Sequence, residues 1–323
     1  MNRISARFAA AAAAVLLVGL GTSAAAAATP LSPGDALYAI SCPQTDQPEF
    51  PTAAQLWGVN PTTAVSTPIG SGSGDFEGLC AGQPAWNPLT NTAWVILLTD
   101  DHDEPSVLAQ IDVATGAVTP GALLLDDGEP VPVASLAIGL DGAAYAISYT
   151  QLYSVDLTTG ELTPIGGTLP TIYGFSVDPT TGTFWALAAS SDLIEIDVTT
   201  GDFTFGPSLE LSGVYGLQID SAGALWVIGV NDDEPTLRTQ LYSASSLAVE
   251  EPPTTVGLLT VTDVGQPFSQ ALLLVPGAPN AVPGSEPSLA ATGASPAPLI
   301  AGAMLLLIGG LALTMTRRVR AGR

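Results

Sequence analysis

The stretch LYSVDLTTGELTPIG at residues 152–166 decides the fold, because copies of it recur along the chain. One copy, LIEIDVTTGDFTFG, begins at position 193, 41 residues further on, and earlier copies read AQIDVATGAVTPG at 109–121 and LWGVNPTTAVSTPIG at 56–70. The most degenerate copy starts at Leu241. Each copy joins two short strand-like runs through a turn, mostly of the form D-x-x-T-G, which predicts a β-hairpin.

A two-strand unit precedes each hairpin, and its second strand is centred on an aromatic residue. The aromatics at this equivalent position are spaced 40 to 56 residues apart, and they are Tyr38, Trp94, Tyr145, Trp185 and Trp226. Four short strands per repeat at this spacing are typical of a β-propeller blade. The sequence therefore predicts an all-β fold, a five-bladed β-propeller with four-stranded blades.

We name the strands of a blade a to d from the axis outward. Blade one begins at its b strand, residues 37–40, and has no a strand ahead of it. The run SQALLLV at 269–275 is left over after blade five. We predict that this C-terminal strand supplies the missing a strand and closes blade one, which hides edges that an open sheet would expose. Blades two to five are predicted at residues 76–121, 133–166, 173–206 and 214–257.

Across residues 36–276 the repeats resemble the YVTN and lactonase-like superfamily of propeller repeats. The resemblance implies the propeller architecture. It implies no single activity, because one architecture hosts many functions.

The C-terminal segment 289–323 holds the pentapeptide LAATG at 289–293, an uncharged apolar run at 299–316 and a basic tail at 317–323. This order resembles the cell-wall sorting signal of Gram-positive surface proteins, in the LAxTG form typical of the class E sortases of actinobacteria. As a helix the apolar run would be about 27 Å long, enough to cross the hydrocarbon core of a bilayer. The arginines of the tail would stay cytoplasmic. A permanent single-span transmembrane anchor is the alternative.

The resemblance gives the motif residues Leu289, Ala290, Thr292 and Gly293 the role of a sortase recognition and cleavage site. It implies that a sortase attacks the carbonyl of Thr292, releases the chain from Gly293 onward and links Thr292 to cell-wall peptidoglycan. The sortase would be a transient partner and the peptidoglycan a covalent one.

The N-terminal segment 1–28 has the features of an export signal peptide, with two arginines, an apolar stretch and an A-x-A site at 26–28. The predicted organisation continues with a mature lead at 29–35, the propeller at 36–276, a linker rich in Pro, Ala and Ser at 277–288, and the sorting signal. We expect the protein at the cell surface, anchored to the cell wall after export. The C-terminal helix would lie in the plasma membrane only in the precursor.

The exported part is strongly acidic. It would carry all thirty carboxylates of the chain against a single arginine, Arg238, which gives a net charge of −29. Such a surface repels nucleic acid and anionic membranes, so neither is expected as a partner. A basic partner or divalent cations fit it better, and a general acidic drift of composition is the alternative.

Both cysteines map to connections on one face of the ring. Cys42 follows strand b of blade one, and Cys80 precedes strand a of blade two. In antiparallel blades the b–c and d–a connections share one face, so the two side chains are expected close together. In an exported protein with an even cysteine count this predicts a Cys42–Cys80 disulfide. Two free thiols with a catalytic or metal-binding role are the alternative.

The acidic residues fall into two groups. One group lies at hairpin turns, where an Asp side chain caps its own backbone, so we expect a structural role for Asp112, Asp141, Asp156, Asp178, Asp197 and Asp220. The other group lies in longer loops that we predict on the face of the cysteines: Asp100, Asp101, Asp103, Glu104, Asp126, Asp127, Asp232, Asp233 and Glu234, with Asp46 and Glu49 nearby.

A rim of carboxylates suits Ca²⁺, which takes several oxygen ligands, or a basic partner. Solvated decoration is the alternative. The chain contains no D-x-D-x-D-G loop, so no resident cofactor is predicted and Ca²⁺ is the one ion that the composition suggests.

The sequence predicts a protein that is not an enzyme. His102 is the only histidine, and no nucleophile elbow, phosphate-binding loop or zinc cluster is present. The predicted function is recognition or adhesion at the cell surface, with an unidentified protein or glycan as ligand. The alternatives are a metal-dependent lactonase-like or lyase-like hydrolase on a propeller scaffold, and a structural surface-coat protein.

Overall fold

The computed structural model describes residues 29–42, 54–70, 80–98, 106–211, 213–231, 238–248, 253–261 and 269–277. The predicted signal peptide, most of the linker and the sorting signal lie outside these ranges. Within them, none of the structure is a helix of the length and hydropathy that a membrane span requires.

The described residues form five small sheets arranged as a five-bladed β-propeller, as predicted. Blade one contains β1 (Ala36–Ser41), β2 (Gln55–Val59) and β3 (Val65–Ile69). Blade two contains β4 (Cys80–Ala81), β5 (Ala85–Asn87), β6 (Thr92–Leu98), β7 (Val107–Ile111) and β8 (Val118–Leu123). The short strands β9 (Leu125–Asp126) and β10 (Glu129–Pro130) follow.

Blade three contains β11 (Ser135–Ile138), β12 (Ala144–Ser148), β13 (Gln151–Val155) and β14 (Glu161–Thr168). Blade four contains β15 (Ile172–Val177), β16 (Phe184–Ala188), β17 (Asp192–Ile196) and β18 (Phe203–Ser208). Blade five contains β19 (Val214–Ile219), β20 (Leu225–Asn231), β21 (Arg238–Ala244) and β22 (Thr254–Leu258). The chain then adds β23 (Thr260–Val261) and β24 (Ser269–Val275).

The last strand closes the ring as the sequence predicts. β24 pairs antiparallel with β1 and takes the innermost position of blade one, with Leu274 opposite Leu37 and Leu272 opposite Ala39. The side chain of Leu272 is fully buried. Blade one therefore takes its b, c and d strands from the start of the described chain and its a strand from the end.

Among the described residues the core consists of five apolar clusters, and each contains one of the repeated aromatics. Tyr38 and Trp226 are buried, whereas the other three rings are partly buried. The aromatic position of the repeat is therefore a packing position between sheets, where a large ring removes much apolar area from water.

The turn aspartates have the structural role that the sequence predicts. The Oδ1 atom of Asp156 accepts hydrogen bonds from the backbone N–H groups of Thr158 at 2.7 Å and Thr159 at 3.2 Å. Asp197 repeats this arrangement in blade four. These bonds satisfy backbone donors that the tight turn leaves without a partner in the sheet.

The acidic segment at 126–129 differs from the prediction. It is not an open loop, because β9 and β10 form a tight hairpin through Asp127 and Gly128, both at positive φ. β9 pairs in parallel with the start of β14, next to the c–d turn of blade three. Asp126 and Asp127 therefore lie in a hairpin at the outer edge of blade three.

Candidate functional site

The two faces of the ring carry different features. We call the face with the b–c and d–a connections, including Cys42 and Cys80, the disulfide face. We call the opposite face, which carries the a–b and c–d turns, the turn face. In each blade strand a starts at the disulfide face and ends at the turn face, so each face has one mouth of the central channel.

The disulfide itself is present as predicted. Cys42 and Cys80 are bonded, with their Cα atoms 4.6 Å apart. Cys42 follows β1 and Cys80 opens β4, so the bond joins blade one to blade two beside the closing strand. The alternative of two free thiols is therefore wrong.

The predicted acidic face is only partly visible. Residues 100–104 and 232–234, including Asp100, Asp101, Asp103, Glu104, Asp232, Asp233 and Glu234, lie outside the described residues, as does His102. Asp126 and Asp127 lie in the hairpin at the edge of blade three. Among the described ranges, no group of three or more His, Cys, Asp or Glu side chains is placed to hold a metal ion. A calcium site on the loops at 100–104 and 232–234 stays a prediction.

The negative charge of Asp126 acts on Tyr153 in β13. The phenol of Tyr153 in β13 has its pKa raised above the ordinary value, first by burial and then by the negative charge of Asp126. Both effects favour the neutral phenol. The pair therefore belongs to the packing of blade three and its edge hairpin.

Two tyrosines mark the channel mouth on the disulfide face. Tyr173 and Tyr215 occupy bulges near the start of β15 and β19, where the register with the next strand shifts by one residue. Their ring centroids are 6.0 Å apart, with a 38° angle between the ring planes. Tyr173 is exposed and Tyr215 is partly exposed. A bulge re-aims a side chain out of the alternating pattern of a strand.

The turn face has a cavity of about 190 Å³ at its channel mouth. The ends of the a strands of all five blades line it, and its walls are mainly apolar. The wall residues include Trp86, Leu136, Ile138, Phe175, Ile219 and Leu274. Prolines in or beside the a–b turns form part of the rim: Pro88, Pro179 and Pro276.

The channel beside this cavity is crossed by two glutamine side chains. The Nε2 atom of Gln83 donates hydrogen bonds to the carbonyls of Leu217 and Leu272, both at 2.9 Å. The Nε2 atom of Gln218 donates to Leu272 at 3.0 Å and to Pro84 at 3.3 Å. Blades one, two and five are thus joined by side chains across the axis, and Gln218 also lines the cavity.

The turn-face mouth has features of a binding site. Among the described residues that line it, the hydroxyl and amide side chains are Ser176 and Gln218, and none carries a carboxylate, imidazole, thiol or amine. These residues can enclose an apolar group and offer it hydrogen bonds.

No protein-family model matches the chain, and no curated protein matches it significantly. Solved structures that resemble it include a chain of the nidogen/laminin complex, with a TM-score of 0.49 and 8% identity over 76% of this chain and 100% of that chain. A luciferin-regenerating enzyme has a TM-score of 0.41 and 15% identity over 68% of this chain and 82% of its own. TolB from Acinetobacter baumannii has a TM-score of 0.42 and 12% identity over 70% of this chain and 53% of its own. These likenesses are too distant to indicate a function.

The sequence analysis missed both channel mouths. The signal for the tyrosines is a difference between repeats: blades four and five read IYG at 172–174 and VYG at 214–216, whereas blade three reads VAS at 133–135. A side chain that only some repeats carry is not required by the blade fold. The cavity had no such signal, because its walls are the apolar strands that any closed propeller needs.

Proposed function

We propose that this chain is an exported, wall-anchored binding protein that is not an enzyme and that recognises a protein or glycan with its disulfide face. The acidic loops at 100–104 and 231–234 would supply the charge of that face, and Thr292 would be its attachment point to peptidoglycan.

The direction of the closing strand is the observation that supports this proposal. Ser269, at the start of β24, pairs with Ser41, and Val275, at its end, pairs with Ala36. β24 therefore runs from the disulfide face to the turn face, and the chain continues from Gly277 at the turn face. A tether leading to Thr292 would start there, on the face opposite to the one that carries Cys42 and Cys80.

The N-terminal lead also lies on the turn face. The Ser221 N–H donates to Asp35 Oδ2 at 2.8 Å, and the Ser32 N–H donates to Asp220 Oδ2 at 3.2 Å. Both contacts hold the lead against the a–b turn of blade five. The two ends of the described chain thus occupy the same face, opposite to the mouth that carries Tyr173 and Tyr215.

The experiment replaces residues 100–104 and 231–234 with Ser and Gly and measures binding of the ectodomain to arrays of glycans and basic surface proteins. We expect loss of binding with unchanged circular dichroism, because the carboxylates would attract the partner and unpaired Asp and Glu side chains are rarely part of an apolar core. A control variant, Asp126→Asn with Asp127→Asn, removes two charges from the edge of blade three and should bind normally. Unchanged binding by the loop variant would refute the assignment.

A further inference from the structure

We propose that the cavity at the turn-face mouth binds a small hydroxylated aromatic compound, one six-membered ring bearing a single hydroxyl, with the ring between the a strands and the hydroxyl on Ser176. This site lies on the face opposite to the proposed recognition surface, and it does not depend on that function.

The size of the cavity fits one ring. Its volume is about 190 Å³, whereas a cavity of about 150 Å³ lined by Leu, Ile and Phe binds benzene. The walls provide flat and branched apolar side chains, with Trp86 on blade two, Phe175 on blade four and Leu274 on blade one.

The walls are held in place, so the space is preformed. Gln83 and Gln218 join three blades across the axis through the carbonyls of Leu217, Leu272 and Pro84. Proline fixes the backbone φ angle, and the rim has three prolines. A preformed cavity loses little conformational entropy when a ligand enters.

The hydroxyl requirement comes from Ser176. Its side chain is only 6% exposed and lines the cavity, yet the described residues show no hydrogen bond to its hydroxyl. The hydroxyl is not among the fully buried atoms that have no partner, so it faces the cavity, where a ligand hydroxyl would replace water as its hydrogen-bond partner. In blade three the equivalent position is Ala137 and in blade two it is Ala85, so the blade fold does not require a polar side chain here.

The position of Leu140 provides a way to block the mouth without disturbing the core. Leu140 lies in the a–b turn of blade three, lines the cavity and is 45% exposed. Leu89 lies in the a–b turn of blade two and is 64% exposed, but it does not line the cavity. The pair therefore offers a blocking substitution and a matched control on the same face.

The test measures binding of p-cresol and toluene to the chain 29–292, which contains every described strand, by NMR titration. We expect both to bind, with p-cresol about two- to tenfold tighter, which is the worth of one neutral hydrogen bond. Ser176→Ala should lower the affinity for p-cresol to that for toluene and leave the affinity for toluene unchanged. Leu140→Trp should lower the affinity for both compounds at least tenfold, and Leu89→Trp should change the affinity for neither.

Several results would overturn the proposal. Absence of binding by either compound would do so, as would equal weakening of both by Ser176→Ala or equal effects of the two tryptophan substitutions. Binding that occurs only after residues 278–292 are removed would show that the chain's own linker occupies the cavity. Thermal unfolding of each variant, compared with that of the parent chain, separates loss of the site from loss of the fold.

Discussion

Gly160 of blade three lies against the backbone carbonyl of Leu123 in blade two: a β-carbon built at Gly160 would come within 2.1 Å of that oxygen. Gly160 ends a D-x-x-T-G turn with φ +76°, and Leu123 is the last residue of β8. Gly116 makes the same approach to the carbonyl of Ile69 at the end of β3. The repeated glycine therefore serves two purposes, since it turns the chain and brings neighbouring blades into backbone contact.

We predict that Gly160→Ala destabilises the propeller by about 2–4 kcal/mol, through a left-handed backbone angle and overpacking together. Gly128→Ala is the matched control, because Gly128 also has a positive φ of +84° but has no atom within 4 Å of a built β-carbon. It should cost only about 1 kcal/mol. Urea unfolding of both variants measures the difference, and equal costs would show that the blade contact contributes nothing.

The three turn aspartates Asp112, Asp156 and Asp197 predict a dependence of stability on pH. The pKa of each lies below the ordinary value of 3.8, because hydrogen bonds within the turn hold the charged form; for Asp156 the largest of these effects comes from the backbone N–H of Thr158. The folded-state pKa is therefore lower than the unfolded one. Their contribution to stability is fully present above about pH 4 and is lost as the pH falls through the lowered values.

The measurement compares urea midpoints of the parent chain and of a triple Asp→Asn variant at these positions between pH 7 and pH 2. Asparagine keeps the Oδ1 acceptor but does not titrate. The parent chain should therefore lose its greater stability against urea as the pH falls below about 4. Both chains share every other carboxylate, so their common titration cancels in the difference. A gap that stays constant with pH would contradict the prediction.

The sequence predicts most of the fold because the blade repeat is local. Five aromatics at one position gave the number of blades, and the unpaired run at 269–275 gave the closure. The hairpin at 126–129 was misassigned because two two-residue strands have no detectable alternation, although Asp127-Gly128 is itself a turn signal for a tight hairpin. The bulges at Tyr173 and Tyr215 and the cavity depend on how sheets meet, which the sequence of one blade does not specify.

The disulfide should contribute substantially to stability. A crosslink across a sequence separation of 38 residues removes unfolded-state entropy worth about 4 kcal/mol in the chain-entropy model, and measured values are commonly 2–4 kcal/mol. We predict that Cys42→Ala with Cys80→Ala lowers the free energy of unfolding by about 2–4 kcal/mol. Added reductant should destabilise the parent chain and leave the double variant unaffected, and a parent chain indifferent to reductant would contradict this role.

Closure by β24 predicts a sharp effect of truncation. A chain that stops at residue 268 loses the six residue pairs between β24 and β1 and exposes the buried leucines of both strands. We expect it to lose cooperative thermal unfolding and to bind a hydrophobic dye, since the inner edge of β1 is then unpaired. A chain that stops at Gly277 keeps every described strand and should unfold like the longer ectodomain. Cooperative unfolding of the shorter chain would mean that blade one closes without β24.

Attachment at Thr292 can be tested on whole cells of an actinobacterial host. The LAATG motif predicts that protein released by peptidoglycan hydrolase ends at Thr292 with a wall fragment attached, and that it lacks the arginines of 317–323. Thr292→Ala should leave the protein in the membrane fraction with its C-terminal tail intact, whereas Ser288→Ala, just outside the motif, should be sorted normally. Mass spectrometry of the C-terminal peptide separates the two fates. If the parent protein keeps its terminal arginines and detergent alone extracts it, the apolar run is a permanent membrane anchor.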